Sequence, residues 1–303
     1  MNSVHSILFT ICIHHATDEE NSHSIHIYTA NTFILIFSNV NSFQEERSCV
    51  GWWKRHCRAI AVICAQEDAN VAICSRTSDE LQETLNQMKK INKERQFKMY
   101  TIDMRKDEQV QQMVSDVVKD LGSIDVLINN AGRNQSEKKK GYELTTSDLR
   151  DLLDLNLVSV HSVTSQVLNQ SMLLNDEDST CRGGTIINIS SKAGKIGIPN
   201  MAFYCASKFG LEGYSASLAQ ELKDCNVKVN TISPGMIDTV SFPKAPGRKG
   251  VRSAESVKDG LMLLLNTAKT GYYVHVDELD HAVEKGLNPE SALKPIDETP
   301  FSV

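Results

Sequence analysis

A doubly wound α/β domain, with helices on both faces of an open parallel sheet, is what this 303-residue sequence predicts. Three observations carry that expectation. From Ala59 onward, short β-rich runs alternate with helical stretches, which is the pattern of βαβ units. The composition, 41% hydrophobic and 23% charged, is that of an ordinary globular chain with a sizeable core, and it excludes collagen, coiled-coil and wholly disordered classes. One main domain with tails fits the length, since such sheets often run to ~250 residues as a unit. The expected division is an atypical N-terminal segment over 1–50, the α/β domain over 51–280 and a C-terminal tail over 281–303.

The elements follow in order. Arg58 to Gln66 reads as a helix, and Asn70 to Cys74 (NVAIC) as a buried strand. Asp79 to Lys90 places Leu81, Leu85 and Met88 on one face at helical spacing, and Lys98 to Ile102 is the next strand. Glu108 to Leu121 is a helix, Ile124 to Ile128 (IDVLI) a strand, and Ser147 to Leu174 a long helix. Gly184 to Ile189 (GTIINI) is a strand, Tyr204 to Lys223 a helix, and Val227 to Ile232 (VKVNTI) another strand. In open parallel sheets ligands bind outside the carboxyl ends of the strands. The loops after Cys74, Ile102, Ile128, Ile189 and Ile232 are therefore expected to line the site.

Charge and tails narrow the function classes. Acids outnumber bases by 38 to 32, giving a net charge of −6, and no Lys/Arg stripe offers a footprint for a phosphate backbone, so nucleic acid is not an expected partner. The apolar runs Ser6 to Ile13 and Phe33 to Phe37 fall short of the ~18–20 residues a membrane span needs, and neither is flanked like a signal peptide. A cytoplasmic protein is expected. The eight cysteines show neither Cys-x-x-Cys pairs nor disulfide-scaffold density, and read as reduced, mostly buried thiols. The first 50 residues hold five of the nine His and no Gly, Pro or Lys, a break in composition. Carboxylates and cysteines are not arranged around those His with ligand spacing, so no metal site is expected.

The least generic residues lie after Ile189: Ser190-Ser191-Lys192-Ala193-Gly194, then Tyr204-Cys205-Ala206-Ser207-Lys208. Tyr204 and Lys208 are four apart, so on a helix they share a face. A phenol with a pKa of ~10 is a poor base at neutral pH, and lowering it by ~3 units takes about 4 kcal/mol. An ammonium alongside supplies part of that, and Ser191 at the adjoining strand end can offer its hydroxyl to the same substrate oxygen.

With these residues the chain resembles the short-chain dehydrogenase/reductases, over roughly residues 57 to 275. The Tyr-x-x-x-Lys is Tyr204 to Lys208, the serine is Ser191, the Asn-Asn-Ala-Gly is Asn129 to Gly132, the long-helix asparagine is Asn156, and the Pro-Gly-x-x-x-Thr is Pro234 to Thr239. The resemblance implies a Rossmann-like fold and an NADPH-dependent oxidoreductase acting on a small carbonyl or alcohol substrate. It implies that Tyr204 moves the proton, Lys208 lowers its pKa and holds the nicotinamide ribose, Ser191 orients the carbonyl and Asn156 holds a relay water. Pro234, Gly235, Ile237 and Thr239 would flank the nicotinamide, with Asn129, Ala131 and Gly132 backing the adenosine side. A homo-oligomer paired through the two long helices is also implied.

An acid at the end of the second strand suits NAD, whereas Arg suits the 2′-phosphate of NADP. The strand here ends Cys74-Ser75-Arg76-Thr77, so NADP(H) is expected at Arg76, with a plain loop charge as the other reading. Asp103 resembles the family's adenine-contacting aspartate, with a helix N-cap as the alternative.

The departure lies at the start. The family's Gly-x-x-x-Gly-x-Gly turn lets the backbone approach the pyrophosphate, but the aligned positions here read Gly51, Arg55 and Cys57 inside GWWKRHC. Phe33 to Phe37 could serve as a makeshift central first strand. Tryptophan has a single codon, so Trp52-Trp53 shifted by one base begins Gly-Gly, and a frameshift or misplaced exon boundary before residue 57 is one expectation. A catalytically silent Rossmann-like protein that cannot hold dinucleotide is the alternative to the reductase. The segment Ser241 to Arg252 is expected to be a lid.

Overall fold

The structure, a computed structural model, describes residues 32–36, 50–135, 139–174, 181–237 and 250–297. Its centre is an eight-stranded sheet. The strands are β1 (Thr32–Ile36), β2 (Asn70–Ser75), β3 (Phe97–Thr101), β4 (Val126–Asn129), β5 (Gly184–Ile189), β6 (Val227–Ser233), β9 (Tyr272–His275) and β10 (Lys294–Pro295). A separate short pair joins β7 (Met236–Ile237) to β8 (Val251–Arg252). The sheet order is β10-β9-β6-β5-β4-β1-β2-β3, parallel throughout except for the antiparallel edge strand β10. The direction of winding reverses between β1 and β4, and a doubly wound sheet binds ligand at that switch point.

The helices are α1 (Val50–Gln66), α2 (Ser78–Ile91), α3 (Asp107–Leu121), α4 (Thr146–Leu153), α5 (Ser159–Val167), α6 (Ala202–Glu221), α7 (Lys258–Asn266) and α8 (Val276–Glu284). Side chains alternate across a strand, so each strand feeds two cores. Val71 and Ile73 of β2 join one core with Ile60 of α1, Leu85 of α2 and Leu261 of α7. Ala72 and Cys74 of the same strand join the other with Val114 of α3, Val163 of α5 and Leu218 of α6. This double coverage makes the strand runs apolar throughout.

The predicted strands and helices appear with small shifts at their ends, and three larger differences have physical causes. The long helix expected from Ser147 is interrupted by π segments at Asp154–Val158 and Leu168–Met172, where one extra residue per turn redirects the side chains. The N-terminal segment expected to be atypical contributes β1, which pairs with β2 and β4 and so takes the central place assigned to the makeshift strand; the rest of that segment lies outside the described residues, apart from Val50. The expected tail is not one up to residue 297: α8 crosses the boundary at 280, and β10 pairs with β9.

Cys57, Cys64, Cys74 and Cys205 are buried free thiols and Cys181 and Cys225 are half-buried, while Cys12 and Cys49 lie outside the described residues. Among the described residues no helix is long and apolar enough to cross a membrane.

Candidate active site

The loops at the carboxyl ends of β4, β5 and β6 converge with α6 and the N-terminal half of α1. Tyr204 sits in the first turn of α6 and Lys208 one turn later on the same face, and both are buried. Lys208 Nζ donates to the Ile189 carbonyl at 2.8 Å and lies 5.9 Å from the centre of the Tyr204 ring. Ser191 caps the 3-10 turn Lys192–Gly194 by accepting from the Ala193 amide at 3.2 Å, and its hydroxyl also hydrogen-bonds with Tyr204. Burial pushes the Tyr204 phenol up to about 12, against the downward pull of Ser191. Burial also lowers the Lys208 ammonium to about 8, opposed by the charge of Glu212.

Asn156 lies inside the first π segment and is fully buried. Its amide donates to the Arg133 carbonyl and to Ser207 Oγ, each at 2.9 Å, and its Oδ1 accepts from the Arg133 amide at 2.8 Å. It thus clamps the loop after β4 to α6, and its oxygen keeps one further acceptor position. Asn129, at the end of β4, is buried in a polar ladder. Its amide donates to Thr164 Oγ1 at 3.0 Å and to Asn188 Oδ1 at 2.8 Å, and Asn188 passes the ladder on to Ser215 Oγ at 2.8 Å. That ladder stitches β4 and β5 to α5 and α6. Ala131 is buried in the core beside it, with Gly132 following in the same loop.

Pro234 and Gly235 follow β6. Gly235 has φ +74, and a Cβ there would stand 3.2 Å from the Asp277 carboxylate, so the turn requires glycine. Ile237 is buried against Ala59 and Ala254. Thr239 lies outside the described residues, as does most of the expected lid.

At the other end, Arg76 follows β2 and stands 4.0 Å from the Asp103 carboxylate. Arg105 grips the same carboxylate at 2.8 Å and holds its pKa below the usual range. The N-cap of α3 is Lys106, which removes the capping alternative for Asp103.

The sequence reading missed His56. Gly51, expected in a phosphate-binding turn, lies in the first turn of α1, and the helix runs unbroken through Arg55 and Cys57. His56 is carried into a pocket shared with Ile189, Ser190, Ser191, Tyr204, Pro234, Gly235 and Ile237. It is 4% exposed, and its Nε2 has no hydrogen-bond partner among the described residues. Burial drives its pKa down to about 4, with the charge of Lys208 adding to the fall and a hydrogen bond with Asn130 opposing it. The only signal in the sequence was the missing glycine turn. An imidazole kept neutral in the fold but free to charge when unfolded favours the unfolded state as pH falls from 6.5 to 4. Stability should therefore drop by about 3 kcal/mol across that window on this account. His56→Gln should flatten that part of a stability-against-pH curve measured by urea unfolding, and an unchanged slope would refute the assignment.

The comparisons with known proteins agree with this geometry. The family model described as short chain dehydrogenase matches residues 57–247. A Streptomyces coelicolor protein named "Putative ketoacyl reductase" is 34% identical over 234 residues, which is 77% of this chain and 86% of that one. Carbonyl reductase family member 4 of Xenopus laevis is 31% identical over 182 residues, 60% of this chain and 71% of that one. A solved structure of a variant actinorhodin polyketide ketoreductase with NADPH superposes with a TM-score of 0.67 at 25% identity, covering 82% of this chain and 95% of that one.

Proposed function

Because the chain belongs to the short-chain dehydrogenase family, we propose that it is an NADP(H)-dependent oxidoreductase interconverting a carbonyl and a secondary alcohol. The observation that carries this reading is the placement of Tyr204 and Lys208 one turn apart on α6, with Ser191 hydrogen-bonded to the phenol at the end of β5.

The residues fit the two ends of such a dinucleotide. Arg76, beside Asp103 at the ends of β2 and β3, offers a guanidinium to a 2′-phosphate. Tyr204, Pro234, Gly235 and Ile237 line the pocket at the reactive end, with Lys208 one turn behind Tyr204 on α6 and Ala131 and Gly132 on the loop between the ends. When bound, the nicotinamide supplies or accepts the hydride. Ser191 orients the carbonyl oxygen toward the phenol. Tyr204, protonated because burial holds its pKa near 12, donates its proton to the oxygen as charge develops there. Lys208 stabilises the phenolate left behind, and Asn156, through its free acceptor position, orients a water that returns the proton.

A second reading, a catalytically silent protein, is favoured by one observation: α1 continues through Gly51 to Cys57 where a glycine turn would meet the pyrophosphate. A panel of ketones and β-ketoesters supplied with NADPH or NADH separates the two. The reductase reading expects NADPH consumption well above that with NADH, with Arg76→Ala erasing about tenfold or more of the preference, since a charged hydrogen bond contributes ~1.5–3 kcal/mol. Folded protein that consumes neither cofactor supports the silent reading.

We also place the protein in the cytoplasm and infer a homo-oligomer paired through α4–α5 and α6, where Val158 and Phe209 are exposed. A monomer by light scattering would contradict the latter.

A further inference from the structure

One turn beyond Lys208, on the same face of α6, stands a carboxylate that the reaction above does not use. Glu212 is 4% exposed. Thr231 Oγ1 of β6 donates to its Oε2 at 2.9 Å, and Lys195 Nζ lies 3.4 Å from that oxygen. Lys195 is itself buried; it donates to the Ile296 carbonyl beside β10 at 2.6 Å and stands 4.8 Å from the centre of the Tyr273 ring in β9. The 3-10 turn that follows Ser191 presses directly on this place. A Cβ on Gly194 would fall 2.9 Å from the Lys208 carbonyl, 3.0 Å from Glu212 Cγ and 3.0 Å from Ser190 Oγ, so no larger side chain fits between the turn and the helix.

A buried ion pair is a weak device for stability, because desolvating both charges cancels much of their attraction. Its position supplies a different use. Two ammonium groups, Lys195 and Lys208, are buried near the same stretch of α6, and Glu212 is the carboxylate placed with them. Lys208 faces Tyr204 and Glu212 from its own helix, the Ile189 carbonyl from β5 and His56 from α1. Glu212 faces Lys195 and Ser190 from the β5–α6 connection, Thr231 from β6 and Tyr273 from β9. Burial pushes the Glu212 carboxyl up, while the charge of Lys195 and the hydrogen bonds of Ser190, Thr231 and Lys195 pull it back toward ionisation; ionised, it favours a charged Lys208 from one turn along the helix.

We propose that Glu212 is the buried counter-charge of Lys208, a positioning residue that acts on Tyr204 through it, and that Lys195 anchors Glu212 while tying the C-terminal edge of the sheet to α6. The part of this that concerns Tyr204 rests on the oxidoreductase reading. Without the carboxylate, Lys208 gives up its proton at lower pH, and the phenolate formed in each turnover loses its stabilising charge. The effect is on proton transfer, with substrate binding left in place.

The test has one arm that does not require activity. Full-length protein labelled with 13C,15N-lysine is titrated by NMR, with Lys208→Arg identifying the resonance. In Glu212→Gln the proton affinity of Lys208 should fall about tenfold, in Glu212→Asp it should return most of the way, and in the control Lys258→Gln, half-buried and paired with Glu67 instead, it should not move. In the second arm, the alkaline limb of NADPH-dependent reduction in Glu212→Gln should move to lower pH by the same factor, with kcat reduced above neutral pH and KM unchanged. If Glu212→Gln does not fold, Lys195→Met replaces it: stripped of its partner, Glu212 takes up a proton and Lys208 should again lose affinity. A folded variant with an unmoved Lys208 titration overturns the proposal whether or not the chain reduces carbonyls. A shifted titration in a chain without any reductase activity upholds the counter-charge and overturns the oxidoreductase reading instead.

Discussion

Tyr204→Phe is expected to slow carbonyl reduction by about 10²–10⁴-fold, the usual worth of a positioned proton donor, while leaving the fold and the dinucleotide site in place. The substitution deletes one oxygen. The ring packs against Leu152, Ala193 and Cys205, and phenylalanine keeps those contacts. Burial already disfavours the phenolate, so removing the hydroxyl leaves no charge stranded, and only Ser191 loses a partner. Thermal stability should therefore shift by no more than the ~1 kcal/mol of one hydrogen bond. Single-turnover rates at saturating NADPH isolate the effect from binding. A variant that reduces substrate at the parental rate would remove Tyr204 from the mechanism, and equal losses of rate and affinity would place it in binding.

The second large effect concerns the start of α1. Arg55→Gly together with Cys57→Gly restores the glycine spacing that begins at Gly51. Each glycine costs a helix about 1 kcal/mol relative to a good former, so the pair should shorten α1 from its N-terminal end toward Arg58. That shortening does two things at once. It exposes backbone amides at the new helix N-terminus, where an anion is favoured by both the free donors and the dipole. It also loosens His56 from the pocket it shares with Ser191 and Tyr204. NADPH affinity should rise at least about tenfold, or ~1.4 kcal/mol, at the cost of a lower melting temperature in the absence of cofactor. Unchanged affinity with the expected loss of helix would show that the α1 extension does not block the pyrophosphate. If residues before 57 are read out of frame, a transcript that continues through GWWKRHC as written contradicts that explanation of the missing glycines.

The sheet was legible where local chemistry decides it. Strands buried on both faces, such as β2, β5 and β6, are apolar runs whatever their neighbours do, and the i to i+4 spacing of Tyr204 and Lys208 survives any error in the ends of α6. What depends on distant partners was less legible. The place of β1 comes from pairing with β2 and β4, which are remote in sequence, and the return of β10 beside β9 rests on two residues with little pattern of their own. The roles of Asn129 and Asn156 show the same limit. Both belong to recognisable motifs, yet which groups their amides reach is set by the strand register and by a π segment that no periodicity announces. Asp103 is similar, since its two arginine neighbours come from different loops. His56, Lys195 and Glu212 escaped entirely, because their chemistry arises only when α1, the turn after β5 and α6 are brought together.

The most direct test of the oxidoreductase reading is an NADPH titration of the purified 303-residue chain, followed by nicotinamide fluorescence and by melting temperature. The account predicts saturable binding, with a melting temperature that climbs with NADPH concentration as a ligand bound to the folded state requires. Folded protein showing no saturable fluorescence change and no thermal shift would contradict it.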